Sequence, residues 1–96
     1  MVKFIYKITG NFYCGYNNLT SLEGCPEIVK GNFWCSDNNL TSLKGCPTII
    51  KGSCYCYHNN LTSLKGFPKI VLNIFSCSYN NLTLLEGCPR ILKGSF

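Results

Sequence analysis

The fold class this sequence predicts is a β-rich solenoid, in which short coils of chain stack on one another, and three observations carry that prediction. The string Asn-Asn-Leu-Thr begins at Asn17, Asn38, Asn59 and Asn80, three equal steps of 21 residues. Ahead of each Asn pair, apolar and polar residues alternate with the period of two that marks a half-buried strand. Between the Asn-Leu step and the next strand a Pro interrupts a stretch too short for a helix, so the return side is expected to be extended or a single 3₁₀ turn. A unit this small buries little by itself; stacked copies share one continuous core.

The identity of the copies sets the boundaries. NNLTSLEGCP (17–26), NNLTSLKGCP (38–47), NNLTSLKGFP (59–68) and NNLTLLEGCP (80–89) align without a gap, as do GNFYCGY (10–16), GNFWCSD (31–37), GSCYCYH (52–58) and NIFSCSY (73–79). The chain therefore divides into an N-terminal cap strand at 1–9, repeats at 10–30, 31–51, 52–72 and 73–93, and a truncated fifth strand at 94–96. All belong to one domain spanning 1–96. With layers about 4.8 Å apart, five of them span roughly 20–25 Å.

Each column has a physical task. Phe12, Phe33, Cys54, Phe75 and Phe96 form one inward column, and Cys14, Cys35, Cys56 and Cys77 form the next. Leu19, Leu40, Leu61 and Leu82 continue the lining, followed by Leu22, Leu43, Leu64 and Leu85. The return side packs Ile28/Val29, Ile49/Ile50, Ile70/Val71 and Ile91/Leu92 against them. Asn17, Asn38, Asn59 and Asn80 fall where the chain leaves the strand. An inward amide there donates to and accepts from turn backbone that would otherwise be buried unpaired, which predicts a hydrogen-bonded ladder. Gly24, Gly45, Gly66 and Gly87 precede a Cys-Pro or Phe-Pro pair and are expected at positive φ. The same expectation attaches to Gly10, Gly31, Gly52 and Gly94, a column in which Asn73 takes the glycine position of the fourth copy.

Composition narrows the function classes. The chain has 96 residues, 46% hydrophobic and 14% charged, with nine Lys and Arg against four Asp and Glu for a net charge of +5. So mild an excess is compatible with an acidic protein surface and is no nucleic-acid signature by itself. Lys7 interrupts the apolar N-terminal stretch before it reaches signal-peptide length, and no run approaches the ~18 apolar residues of a membrane span. The expectation is a cytoplasmic protein with no membrane partner.

The segment Cys35-Ser36-Asp37-Asn38-Asn39-Leu40-Thr41-Ser42-Leu43 resembles the leucine-rich repeat, Leu-x-x-Leu-x-Leu-x-x-Asn-x-Leu. Phe33, Cys35, Asn38 and Leu40 match its last two strand positions, its ladder Asn and its closing Leu. Its first Leu is not kept, since Lys30 stands there with Ile28 and Val29 beside it. The resemblance covers residues 10–96. It is closest to the short-repeat class of bacterial effectors and to repeats of phage and giant-virus proteins. It implies a right-handed stack, one parallel sheet on a concave face, no long helices, and recognition of protein through the exposed strand face. It also implies host cytoplasm as the location and, more narrowly, blockade of a host defence protein. Family members close their ends with caps, whereas here only residues 1–9 fill that role; either the C-terminal edge is then a route to a homo-oligomer, or the chain is a fragment.

Eight cysteines in a chain this short suggest a disulfide framework or a metal site. The columns supply a plainer account, in which small apolar thiols pack tight inner positions and stay reduced. Neither zinc-knuckle spacing nor a nearby His favours metal, and with His58 as the sole imidazole a cysteine nucleophile lacks its base. No enzyme activity, metal or cofactor is expected.

The outward columns are richer. Tyr13, Trp34, Tyr55 and Ser76 make one; Gly15, Ser36, Tyr57 and Ser78 the next; Tyr16, Asp37, His58 and Tyr79 follow. Tyr and Trp dominate interface hot spots, so Tyr13, Tyr16, Trp34, Asp37, Tyr55, Tyr57, His58 and Tyr79 are the candidate binding residues. The plain alternative is cross-strand stacking that stabilises the sheet. Aromatics beside Lys30, Lys51 and Lys93 also suit a single-stranded nucleic acid, but Glu23, Glu27 and Glu86 share columns with the other lysines and speak against it. Asn18, Asn39, Asn60 and Asn81 begin Asn-Leu-Thr sequons, which the repeat generates as a set and a cytoplasmic chain leaves unused.

Overall fold

The computed structural model describes residues 6–78, residue 80 and the backbone of residues 91–92. Tyr79, Asn81, Leu82, Leu85 and the fifth strand at 94–96 lie outside the described residues.

The chain is a β-solenoid of stacked parallel strands, and the described residues contain no helix. On one side β2 (Phe12–Tyr13), β4 (Phe33–Trp34), β6 (Cys54–Tyr55) and β8 (Phe75–Ser76) pair in sequence order, with Phe12 opposite Phe33 and Trp34 opposite Tyr55. On the return side β1 (Lys7–Ile8), β3 (Ile28–Val29), β5 (Ile49–Ile50), β7 (Ile70–Val71) and β9 (Ile91–Leu92) form a second parallel sheet. This corrects the expectation of a single sheet. The return segment is extended, as anticipated, and its β-branched pair is long enough to hydrogen-bond from layer to layer. Lys7–Ile8 pairs with Ile28–Val29 as Ile28–Val29 pairs with Ile49–Ile50, so the N-terminal segment supplies one more return strand.

The core lies between the two sheets. Phe33, Cys35, Leu40, Leu43, Ile50, Cys54, Cys56, Leu61, Leu64, Val71 and Phe75 are fully buried. Cys25, Cys46 and Phe67 make a further buried column, and the Phe67 ring meets Phe75 at 4.9 Å. Cys14, Cys35, Cys54 and Cys56 are free thiols.

The two glycine columns have different causes. Gly24, Gly45 and Gly66 take φ values of +92°, +92° and +81°, a conformation costly to residues with a Cβ. Gly31 and Gly52 do not take a left-handed φ, contrary to expectation, and neither does Asn73. What the column requires is room. A Cβ at Gly52 would lie 2.6 Å from the Gly31 carbonyl oxygen and 2.3 Å from Asn32 Oδ1.

Candidate functional site

Two side-chain ladders hold the layers in register on the strand face, and they run in opposite directions. Asn38 reaches back to the layer before it: its Oδ1 accepts from the Asn17 and Leu19 amides, both at 2.9 Å, and its Nδ2 donates to the Cys14 and Cys35 carbonyls, both at 3.0 Å. Asn59 repeats this with the Leu40 amide at 3.1 Å and the Cys35 and Cys56 carbonyls at 3.1 and 3.2 Å. Asn80 does so with Leu61, Cys56 and Cys77. Asn17 is exposed and opens the series. The second ladder reaches forward. Asn11 Oδ1 accepts from the Asn32 amide, Asn32 Oδ1 from Ser53, and Ser53 Oγ from Ile74, at 2.7, 2.8 and 3.1 Å. Sequence reasoning missed it because its members differ in type, leaving only the weak signal of polar residues just before each inward aromatic or Cys.

The inward turn of each ladder Asn dictates the backbone just ahead of it. Tyr16, Asp37 and His58 sit at φ +57°, +58° and +54°. Asp tolerates this region; for a ring-bearing residue it is uncommon and strained, at about 1–2 kcal/mol each. At Tyr16 and His58, just past β2 and β6, the strain comes with an exposed side chain. Tyr16 is 76% exposed and Tyr13 63%.

The remaining rings pack on one another. Trp34 stands 4.7 Å from Tyr55 and 5.6 Å from Tyr57, and Tyr13 meets it edge-on at 6.3 Å. Tyr57 is edge-on to Tyr55 at 6.4 Å and to His58 at 5.6 Å. Trp34, Tyr55 and Tyr57 are consequently half-buried. The indole also lies over Gly15, where a Cβ would be 2.8 Å from Trp34 Cδ1. Ser36, expected outward, is fully buried, and its Oγ has no hydrogen-bond partner. It stands between Gly15 and Tyr57 in a column roofed by these rings, which accounts for the difference. Seven of the eight candidate binding residues thus fall within the described residues on one continuous face; Tyr79 is the eighth.

Electrostatically the face is unlike the rest of the molecule. Lys30, Lys44, Lys51, Lys65 and Lys69 are exposed away from it, and Asp37 is its one formal charge among the described residues. Asp37 is half-buried, with Oδ2 buried and receiving no hydrogen bond. The charge of the Asp37 carboxylate, together with a hydrogen bond from the Tyr16 hydroxyl, holds the Tyr16 phenol above its ordinary value.

The thiols are held away from reactivity. Burial pushes Cys35 well above the ordinary thiol range, and a hydrogen bond with Cys56 together with burial does the same for Cys54. Cys14 is raised by its hydrogen bond with Cys25 and by burial. Thiolates are the nucleophilic and metal-binding form, and among the described residues no group of three or more His, Cys, Asp or Glu is placed to hold a metal. No helix of the described residues is long and apolar enough to cross a membrane. Searches against family models, curated proteins and solved structures found no match to this chain.

Proposed function

We propose that this protein is a non-enzymatic module that recognises another protein through its strand face. One observation carries the reading. Tyr13 and Tyr16, exposed by 63% and 76%, border a packed cluster of Trp34, Tyr55 and Tyr57, and Tyr16 is held at a φ of +57° that a tyrosine adopts only at a cost. Stacking alone explains the half-buried rings but gives no reason to keep a strained, exposed tyrosine. Rigid amphipathic rings over a preorganised sheet are what a recognition surface uses to limit the entropy cost of binding. The resemblance of the repeat to leucine-rich repeats points the same way. On that resemblance alone rests the narrower proposal, that a virus or phage encodes the protein to block a host defence protein in the host cytoplasm.

The test is affinity capture from a reducing, nuclease-treated lysate of the host cell, with wild type beside a Tyr13→Ala/Tyr16→Ala variant. These two exposed side chains leave the ring cluster in place, and circular dichroism verifies that the variant folds. One stoichiometric protein, lost in the variant, is the expected result. Recovery of the bait alone, or of a protein both forms retain, overturns the proposal.

A second reading, self-association, is favoured by Leu72 and Ile74. These are exposed apolar residues at 37% and 40%, where earlier layers carry Lys30 and Lys51 or Asn32 and Ser53. It predicts a molecular mass that grows with concentration in reducing buffer.

A further inference from the structure

We propose that the strand face is an arginine-reading site, in which the guanidinium of a partner's peptide segment stacks on the rings of Trp34 and Tyr57 and pairs with the Asp37 carboxylate. The inference rests on the reading of this face as a protein-recognition surface and names the chemistry that the partner brings to it.

Charge complementarity comes first. The chain carries +5 overall, yet the described part of this face holds one carboxylate and no lysine or arginine. An acidic partner therefore finds its attraction elsewhere on the molecule, and the ligand suited to this face is cationic. The second argument is the state of Asp37. Its Oδ2 is buried without a hydrogen bond while the carboxylate accepts from the Tyr16 hydroxyl. A buried carboxylate oxygen with no donor is costly, and a donor that reaches it is rewarded accordingly. Of the cationic side chains, guanidinium alone presents parallel N–H groups that match both oxygens of a carboxylate.

Ring geometry decides which cation is accepted. A cage for a methylated ammonium needs ring faces held apart to admit it. Here Trp34, Tyr55 and Tyr57 lie at centroid separations of 4.7, 5.6 and 6.4 Å, in contact with one another, so no ammonium enters between them. A planar group stacked on the outer faces of the cluster is compatible with the packing, and guanidinium stacks where ammonium does not. Tyr16 guards the carboxylate. Because its ring is 76% exposed, it can swing aside, and the incoming guanidinium takes over the position of its hydroxyl.

The experiment titrates the full chain with a blocked Gly-Gly-Arg-Gly-Gly peptide at physiological salt and follows the fluorescence of Trp34, the chain's one tryptophan. The same peptide with citrulline keeps the shape and removes the charge, and the lysine peptide keeps the charge and removes the plane. Saturable binding of the arginine peptide is expected, about tenfold tighter than the lysine or citrulline peptide. Asp37→Asn is expected to erase the arginine-to-citrulline difference while folding normally, since Asn tolerates the left-handed region. Tyr16→Phe is expected to bind the arginine peptide more tightly than wild type, its competing hydroxyl gone. An unsaturable signal, equal binding of arginine and citrulline, lysine binding as tightly as arginine, an Asp37→Asn variant that still discriminates, or loss of binding in Tyr16→Phe each overturns the site. If Asp37→Asn captures the same cellular protein as wild type while Tyr13→Ala/Tyr16→Ala loses it, the recognition surface stands and the arginine site alone falls.

Discussion

Gly10 and Gly52 occupy the same place in two layers of the stack, yet their surroundings differ. A methyl group at Gly10 would meet nothing within 4 Å, whereas at Gly52 it would collide with the neighbouring coil. The same contrast runs between the first layer and the interior ones. Asn17 is exposed and Asn59 is 6% exposed; Phe12 is half-buried and Phe33 is fully buried. Near-identical repeats therefore do unequal work, because what stabilises a coil is the coil beside it. An end layer has one such neighbour and an interior layer has two.

The sharpest way to break this contrast is the ladder amide. Asn59→Ala strands the Leu40 amide in the interior and takes one of two donors from each of the Cys35 and Cys56 carbonyls, which keep Asn38 Nδ2 and Asn80 Nδ2. At roughly 1–3 kcal/mol for the buried amide left unpaired and about 0.5 kcal/mol for each carbonyl that loses one of two donors, the loss is about 2–4 kcal/mol, a large part of the ~5–15 kcal/mol that holds a small domain folded. Asn17→Ala removes an exposed side chain from the first layer and is expected to cost less than about 1 kcal/mol. Urea unfolding followed by Trp34 fluorescence measures both. Equal shifts in midpoint would mean that the ladder is not what joins the layers.

Glycine gives the next largest difference. Gly52→Ala places a methyl against the Gly31 backbone, which has no flexible end to move aside, and is expected to cost about 1–3 kcal/mol. Gly10→Ala is expected within about 0.5 kcal/mol of wild type. The pair separates steric crowding from backbone conformation, since neither glycine takes a left-handed φ. A large loss from Gly10→Ala would show that the column needs glycine for conformation after all.

How much of this was legible in the sequence follows from the same contrast. Inward columns such as Cys14/Cys35/Cys56 and Leu19/Leu40/Leu61 could be read directly, because stacking places identical positions in contact and the period is unambiguous. The ladder Asn was legible for the same reason. The second sheet was not: two residues such as Ile49–Ile50 are too few to show an alternation, and the Pro just upstream reads as interruption. The burial of Ser36 was hidden because it depends on how the Trp34 ring crosses to Gly15, a relation between different columns. The left-handed backbone at Tyr16 and His58 was hidden too, since residue type argues against it there and only Asp37 suits it. What the columns could not express, in each case, was geometry passing from one column to another.

The buried thiols extend the contrast into pH. Cys35 and Cys54 are interior; burial raises Cys35, and the hydrogen bond with Cys56 together with burial raises Cys54, above the ordinary value of 9.0. A raised thiol favours the protonated folded form, so this contribution is fully present below about pH 9 and is lost as pH climbs toward the raised folded values. The unfolding midpoint in urea is therefore expected to hold steady from neutral pH to about 8.5 and fall above it. Iodoacetamide should modify the native chain far more slowly than the urea-unfolded one. Rapid native alkylation of Cys35 or Cys54, mapped by mass spectrometry, would contradict their burial.

The smallest expected effect lies where the two kinds of layer touch on the surface. Tyr16 belongs to the first layer and borrows its partner from the second, the Asp37 carboxylate, whose charge and then hydrogen bond raise the phenol. Here too the protonated form is favoured in the folded state, so the contribution is present below the ordinary tyrosine value of 10.0 and lost as pH rises through the raised one. Because the phenol is exposed to water, salt screens the charge part of the interaction while leaving the hydrogen bond largely intact. Alkaline titration of phenolate absorbance should show one tyrosine of the wild type ionising later than in Asp37→Asn. Salt at about 1 M, where the screening length is near 3 Å, should close part of that gap in the wild type and leave the variant's Tyr16 unmoved. If salt closes none of it, the hydrogen bond alone couples Tyr16 to Asp37. If it closes all of it, the contact is a charge effect without a bond, and Tyr16 is freer to swing than its place just past β2 suggests.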